Sequence, residues 1–141
     1  MVNVNHLIDS NVLIYAYDRS DNVKHKKAVE LLSKCWEGKI MLAISAQNLA
    51  EFFVVVTTKL KPALSIREAE QIVQDIVDFS HWKVLSYNEH VLLKAIKMHK
   101  THFWDALIAA TMLEHGIFTI YTENTADFSQ FANIKAINPF R

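Results

Sequence analysis

Short apolar runs alternate along this chain with longer stretches in which apolar residues recur at helical spacing. Val4 to Ile8 reads as a strand, and Val12 to Tyr17 as a short helix with Ser10 or Asn11 near its cap. From Asn22 to Trp36, apolar Val23, Ala28, Val29, Leu31, Leu32 and Cys35 alternate with Lys24, Lys26, Lys27, Glu30 and Lys34. That pattern predicts an amphipathic helix that stops near Gly38 and turns its lysines to solvent. Ile40 to Ile44 is a second strand, and Ser45 can cap a helix from Ala46 to about Lys59, closed by Pro62. The β-branched run Val54 to Thr58 leaves a strand there as the alternative. Ser65 and Glu68 have capping-box spacing and open a helix with Ile66, Ala69, Ile72, Val73, Ile76, Val77 and Phe79 on its buried side. Trp82 to Leu85 reads as strand, Asn88 to Lys100 as helix, and Phe103 to His115 as a helix ended by Gly116. Ile117 to Tyr121 is a buried strand, Asn124 to Phe131 a short helix, and Ile134 to Ile137 an edge strand. This alternation predicts a mainly parallel sheet covered on both faces, a three-layer α/β/α sandwich. In such sheets the functional crevice lies beyond the carboxyl ends of the strands.

Composition narrows the classes. A chain of 141 residues that is 51% hydrophobic suits one domain, residues 1–141, around one core. A formal net charge of zero gives no overall positive field, which disfavours a DNA-binding module more than an enzyme. Cys35 is the single cysteine and has no internal disulfide partner, so a reducing cytoplasm is expected. The start from Met1 lacks a basic segment followed by an apolar one, and no apolar run approaches the roughly 18 residues that cross a bilayer. A soluble protein without a membrane partner is expected. Gly38 and Gly116 are the only glycines, too few for a phosphate-cradling loop, so dinucleotide binding is excluded.

Four acids sit where apolar segments end or turn: Asp9 in Leu7-Ile8-Asp9-Ser10-Asn11, Glu51 between Ala50 and Phe52, Asp105 between Trp104 and Ala106, and Asp127 before Phe128. Each alone has an ordinary explanation as a helix cap, a helix-start charge or a surface group. Glu51 fits these worst, because Leu49, Ala50, Phe52 and Phe53 surround it and an unpaired acid in such company is costly to desolvate. Four carboxylates gathered in one crevice would repel unless they share a cation. All-oxygen donors suit Mg²⁺ or Mn²⁺, which can activate water and neutralise charge on a phosphoryl oxygen, the chemistry of carboxylate-rich nucleases. Phosphoryl transfer through Asp9 is a weaker alternative. A haloacid-dehalogenase-like phosphatase wants an Asp where Asn11 stands, and a receiver domain wants a further acidic pair near the first strand.

These segments, with Thr122-Glu123-Asn124 following Tyr121, resemble PIN-domain proteins, especially the VapC-type toxins, from Leu7 to the end of the chain. The resemblance places the family's acids at Asp9, Glu51 and Asp105, with the fourth at Asp127 and Glu123 as its substitute; Ser10, Asn11, Thr122 and Asn124 match supporting positions. It implies metal-dependent endoribonuclease activity on an RNA substrate, a cytoplasmic location, homodimerisation and a small cognate antitoxin. A catalytically inactive PIN-like module that binds RNA or protein is the competing expectation, and the presence of all four acids weighs against it.

Other residues complete the picture. His99, His102 and Asp105 follow at intervals of three, so on a continuous helix the two histidines could share a face and a metal, although a solvated basic face explains them as well. Lys59, Lys61, Lys97, Lys100 and His102 are candidates for RNA phosphates, against ordinary surface charge. Trp104 is read as core rather than as a base-stacking ring, Trp36, Trp82, Phe52 and Phe53 as packing, and Cys35 as a small buried hydrophobe.

Overall fold

The computed structural model describes residues 4–141, so the segment from Met1 to Asn3, expected to carry no leader, lies outside the described residues. Five strands, β1 (Val4–Ile8), β2 (Met41–Ser45), β3 (Trp82–Leu85), β4 (Thr119–Tyr121) and β5 (Lys135–Ile137), form one sheet. Its order is β3-β2-β1-β4-β5, and every pairing is parallel. The helices between them are α1 (Ser10–Tyr15), α2 (Asn22–Trp36), α3 (Ala46–Thr58), α4 (Ile66–Asp78), α5 (Glu89–Met98), α6 (Phe103–Glu114) and α7 (Thr125–Ser129).

Alternate strand residues feed two apolar layers, as a parallel sheet covered on both sides requires. Leu7 and Ala43 pack with Val91, Ala95, Leu107, Ala110 and Phe128 on the face covered by α5, α6 and α7. Ile8, Leu42 and Ile44 pack with Val12, Leu32, Phe52, Val56 and Ile76 on the face covered by α1 to α4. Helix α6 is buried continuously from Ala106 to Met112, and its alanines let it approach the sheet and α5 closely. Gly116 adopts a φ of +68° just beyond α6, a conformation a side chain would strain, and the chain turns there toward β4.

Several expectations shift. The capping box forms between Ser65 and Glu68 as read. The β-branched run Val54 to Thr58 is helical: Val56 is fully buried, and the Thr57 and Thr58 hydroxyls bond the backbone oxygens of Phe53 and Val54. Burial of the helix face therefore overrides local propensity. Ile66 and Val77 are exposed instead of buried, because they line an apolar groove between α3 and α4 with Leu49, Ala50, Phe53, Val54 and Val73. Helix α5 stops at Met98, and His99 is extended, so the helix predicted to run to Lys100 is shorter. Strand β4 begins at Thr119, after Ile117 has closed the end of α6 by donating its N–H to the Met112 oxygen.

The chain leaves β1 for β2 and β3 on one side and returns to β4 and β5 on the other. The switch point lies between β1 and β4, where parallel sheets open a crevice at the carboxyl edge. Asp9 directly follows β1, and Thr122 directly follows β4.

Candidate active site

Asp9 is both a helix cap and the centre of this crevice. It is 6% exposed, and its backbone N–H donates to the Tyr121 oxygen, extending the β1–β4 ladder by one residue. Its side chain, rather than Ser10 or Asn11, caps α1, with Oδ1 accepting from the Ser10 N–H at 2.8 Å. Oδ1 also accepts from Asn48 Nδ2 at 3.2 Å. Oδ2 accepts from Thr122 Oγ1 at 2.7 Å and Asn11 Nδ2 at 3.4 Å. Burial pushes the Asp9 pKa up, bonds from Thr122 and Ser10 oppose that, and the nearby Glu51 charge adds to the rise.

Glu51 reaches the same place from α3, which starts at the carboxyl end of β2 beside β1. The Ser10 hydroxyl donates to its Oε2 at 2.9 Å, and Gln47 Nε2 donates to Oε1 at 3.0 Å. Ser10 therefore lies between the first two acids. Asp105 sits in the first turn of α6. Its pKa is raised to about 6, first by desolvation and then by the charges of Asp127 and Asp9, with His102 opposing and Glu51 adding. Asp127 sits in the first turn of α7, with its Oδ1 4.0 Å from His102 Nε2. Four separate elements thus carry four carboxylates to one electrostatic neighbourhood.

Glu123 is tied differently. Its backbone N–H donates to Asn11 Oδ1 at 3.3 Å, while its carboxylate pairs with Lys24. Lys24 Nζ also lies 5.2 Å from the centre of the Tyr15 ring. Lys24 is therefore not simply part of a solvated lysine face. Asn11 joins the two edges of the crevice, because its Nδ2 also reaches Thr122 Oγ1 at 3.4 Å. Asn124 occupies the cap position of α7, and its N–H donates to Thr122 Oγ1.

The remaining candidates divide. His102 comes to the acids, but the break between α5 and α6 takes His99 and His102 off any common helix; His99 instead packs edge-on against Phe103. Lys59 caps α3 eight residues beyond Glu51, about 12 Å along the axis, and is exposed. Lys61, Lys97 and Lys100 are also exposed and make no ion pair among the described residues. Trp104, expected in the core, is 63% exposed, because Phe103, Ala106 and Leu107 take the inward side of the first turn of α6. Trp82, Phe52 and Cys35 are buried as read.

Sequence reasoning passed over Asn48 and Gln47. Asn48 is fully buried, receives the Ser45 hydroxyl and donates to Asp9, and its only signal is a polar residue three beyond a capping serine. Gln47 bonds Glu51 and the Trp104 oxygen, the latter at 3.4 Å.

The PIN-domain family model matches residues 6–134. The chain belongs to the PIN-domain family. This PIN-domain protein is 27% identical over 139 residues to ribonuclease VapC24 of Mycobacterium tuberculosis, with 94% of each chain covered. Its fold is similar to that of VapC20 of Mycobacterium tuberculosis, a sarcin-ricin loop cleaving toxin, with a TM-score of 0.67 at 17% identity over 93% of this chain and 98% of that one. It is also similar to a chain of VapBC-1 from nontypeable Haemophilus influenzae, with a TM-score of 0.66 at 16% identity over 98% and 100% of the two chains. Among the described residues, no helix is long and apolar enough to cross a membrane.

Proposed function

We propose that this PIN-domain protein is a Mg²⁺- or Mn²⁺-dependent endoribonuclease, the cytoplasmic toxin of a type II toxin–antitoxin pair, working as a homodimer held in check by a small cognate antitoxin. The observation that carries the activity is the gathering of Asp9, Glu51, Asp105 and Asp127 at the switch point of a parallel sheet. The ribonuclease and toxin relatives support the same reading.

The residues fit a hard divalent cation. Asp9, Glu51, Asp105 and Asp127 offer oxygen donors only, and Cys35 is buried in the layer under α2. As the side chains lie, no three acidic, histidine or cysteine groups among the described residues stand close enough together to hold an ion; hydroxyl and amide donors hold Asp9 and Glu51 instead, so the acids would have to draw together around a cation. Desolvation is the larger cause of the raised Asp105 pKa and repulsion from Asp127 and Asp9 adds to it; a shared cation would relieve that repulsion. When bound there, the cation supplies charge neutralisation at a phosphoryl oxygen and a lowered pKa for a neighbouring water. The chain's own residues do the positioning. Thr122, Asn11 and Asn48 fix the Asp9 carboxylate, Ser10 and Gln47 fix Glu51, and the start of α6 presents Asp105.

Thermal unfolding tests the metal site. Asp105 has a native pKa above its ordinary 3.8, so the native state holds a proton that the unfolded chain releases between pH 4 and 6. Metal-free stability therefore falls as pH rises through that window, and the penalty is complete above it. Asp105→Asn is expected to raise metal-free stability at pH 7.5 by about 1 kcal/mol after solvent screening of this half-buried group, with the gain fading at pH 4. Saturating Mn²⁺ should stabilise the wild type and leave the variant nearly unchanged. Equal stabilisation of both proteins by Mn²⁺ would remove Asp105 from the site.

A further inference from the structure

The most exposed large aromatic near the acids is Trp104, at 63%. Solvent exposure of an indole forfeits burial that the fold could have used, as Trp82 shows at 4% exposed. The ring is nevertheless held in place. It packs edge-on against Phe103, with centroids 5.5 Å apart at 70°, and Phe103 packs in the same manner against His99. Its backbone is tied to the site as well, because Gln47 Nε2 bonds both the Trp104 oxygen and Glu51 Oε1. The next residue is Asp105, and His102, two residues earlier, faces Asp127. A supported, solvent-facing aromatic plane therefore stands at the rim of the carboxylate crevice.

Electrostatics say what such a plane is for. The chain carries no net charge, and the crevice is acidic. Lys24 is paired with Glu123, and His102 Nε2 lies 4.0 Å from Asp127 Oδ1. Exposed Lys97 and Lys100 can meet phosphates anywhere along a strand, but a crevice lined by carboxylates does not hold the neighbouring nucleotide by charge, so the contact that places it there must be an uncharged one. Stacking of a base on an aromatic ring is that contact, and it tolerates any sequence because every base has a π-face.

We propose that Trp104 is a stacking platform for one unpaired nucleobase of single-stranded RNA beside the phosphate presented to the carboxylates. The proposal rests on the ribonuclease reading and adds the conformation of the substrate: the strand arrives with a base splayed out, not in a duplex. A second copy of this chain or another protein is the competing occupant of an exposed indole.

The test is fluorescence anisotropy with an end-labelled oligoadenylate of about ten nucleotides and its counterpart with abasic sites, in EDTA so that the RNA stays intact. Wild type is expected to bind the oligoadenylate more tightly than the abasic strand. Trp104→Ala should lose about tenfold in affinity for oligoadenylate and little for the abasic strand, and Trp104→Phe should recover most of the loss. The salt dependence of binding should be the same in all three proteins, since no ionic contact is removed. Unchanged oligoadenylate affinity in Trp104→Ala, with wild type still cutting RNA in Mg²⁺, would overturn the platform and leave the ribonuclease reading standing. Wild type that neither binds nor cuts RNA would overturn both. A change of oligomeric state by light scattering in Trp104→Ala, with RNA affinity intact, would assign the indole to a protein interface.

Discussion

Asp9→Asn is expected to lower RNA cleavage by about 10³-fold or more while leaving the fold in place. Asparagine matches aspartate in shape, and its oxygen can still accept the Ser10 N–H that caps α1. Charge is what the substitution removes. The carboxylate lies at the centre of the crevice, with Thr122, Asn11, Asn48 and Ser10 all donating to it, and an amide would set an N–H against one or more of those donors. Under the proposed function, Asp9 would hold the cation, and losing its charge would weaken neutralisation at the phosphoryl group; an effect of about 4 kcal/mol on the barrier corresponds to the stated factor. Circular dichroism and thermal unfolding serve as the fold controls. A variant that folds and still cuts at more than about a tenth of the wild-type rate would contradict the assignment of Asp9.

The second large effect separates two neighbouring acids. Asp127→Asn should reduce cleavage by about 10²-fold or more, whereas Glu123→Gln should cost less than about tenfold. Glu123 has its charge answered by Lys24, and Tyr15 lies beside that pair, so it is poorly placed to serve a cation as well. Asp127 is the first charge acting on Asp105 after desolvation, and no lysine or arginine pairs with it among the described residues; its neighbour is His102, with Nε2 4.0 Å from Oδ1. Removing the Lys24–Glu123 pair should change stability little, as for other solvent-screened pairs. The reverse order of activities, with Glu123→Gln the more damaging, would make Glu123 the fourth ligand.

The sheet was legible because each strand is a short apolar run ended by a polar signal. Asp9 after Ile8, Ser45 after Ile44 and Thr122 after Tyr121 mark three neighbouring carboxyl edges. The capping box at Ser65 and the turn at Gly116 are equally local and could be read directly. Contacts between distant segments could not. Lys24 is indistinguishable in sequence from Lys26 and Lys27, and only a partner 99 residues away sets it apart. Trp104 lies between Phe103 and Asp105 and has the composition of a core residue; which way it points depends on the rotation of α6 against α5 and the sheet. The break after Met98 separates His99 from His102, and no glycine or proline announces it. Asn48 appears as an ordinary helix residue until β1 brings Asp9 against it. Local chemistry thus reveals where the acids sit, and tertiary packing decides what holds each one.

Cleavage of an RNA pool by the purified protein, in Mg²⁺ or Mn²⁺ and then in EDTA, bears most directly on the claim that the four carboxylates form one cation-dependent cutting site. Cleavage in either metal, lost in EDTA and restored when the metal is added back in excess, is the predicted result; cleavage that continues undiminished in EDTA would contradict it.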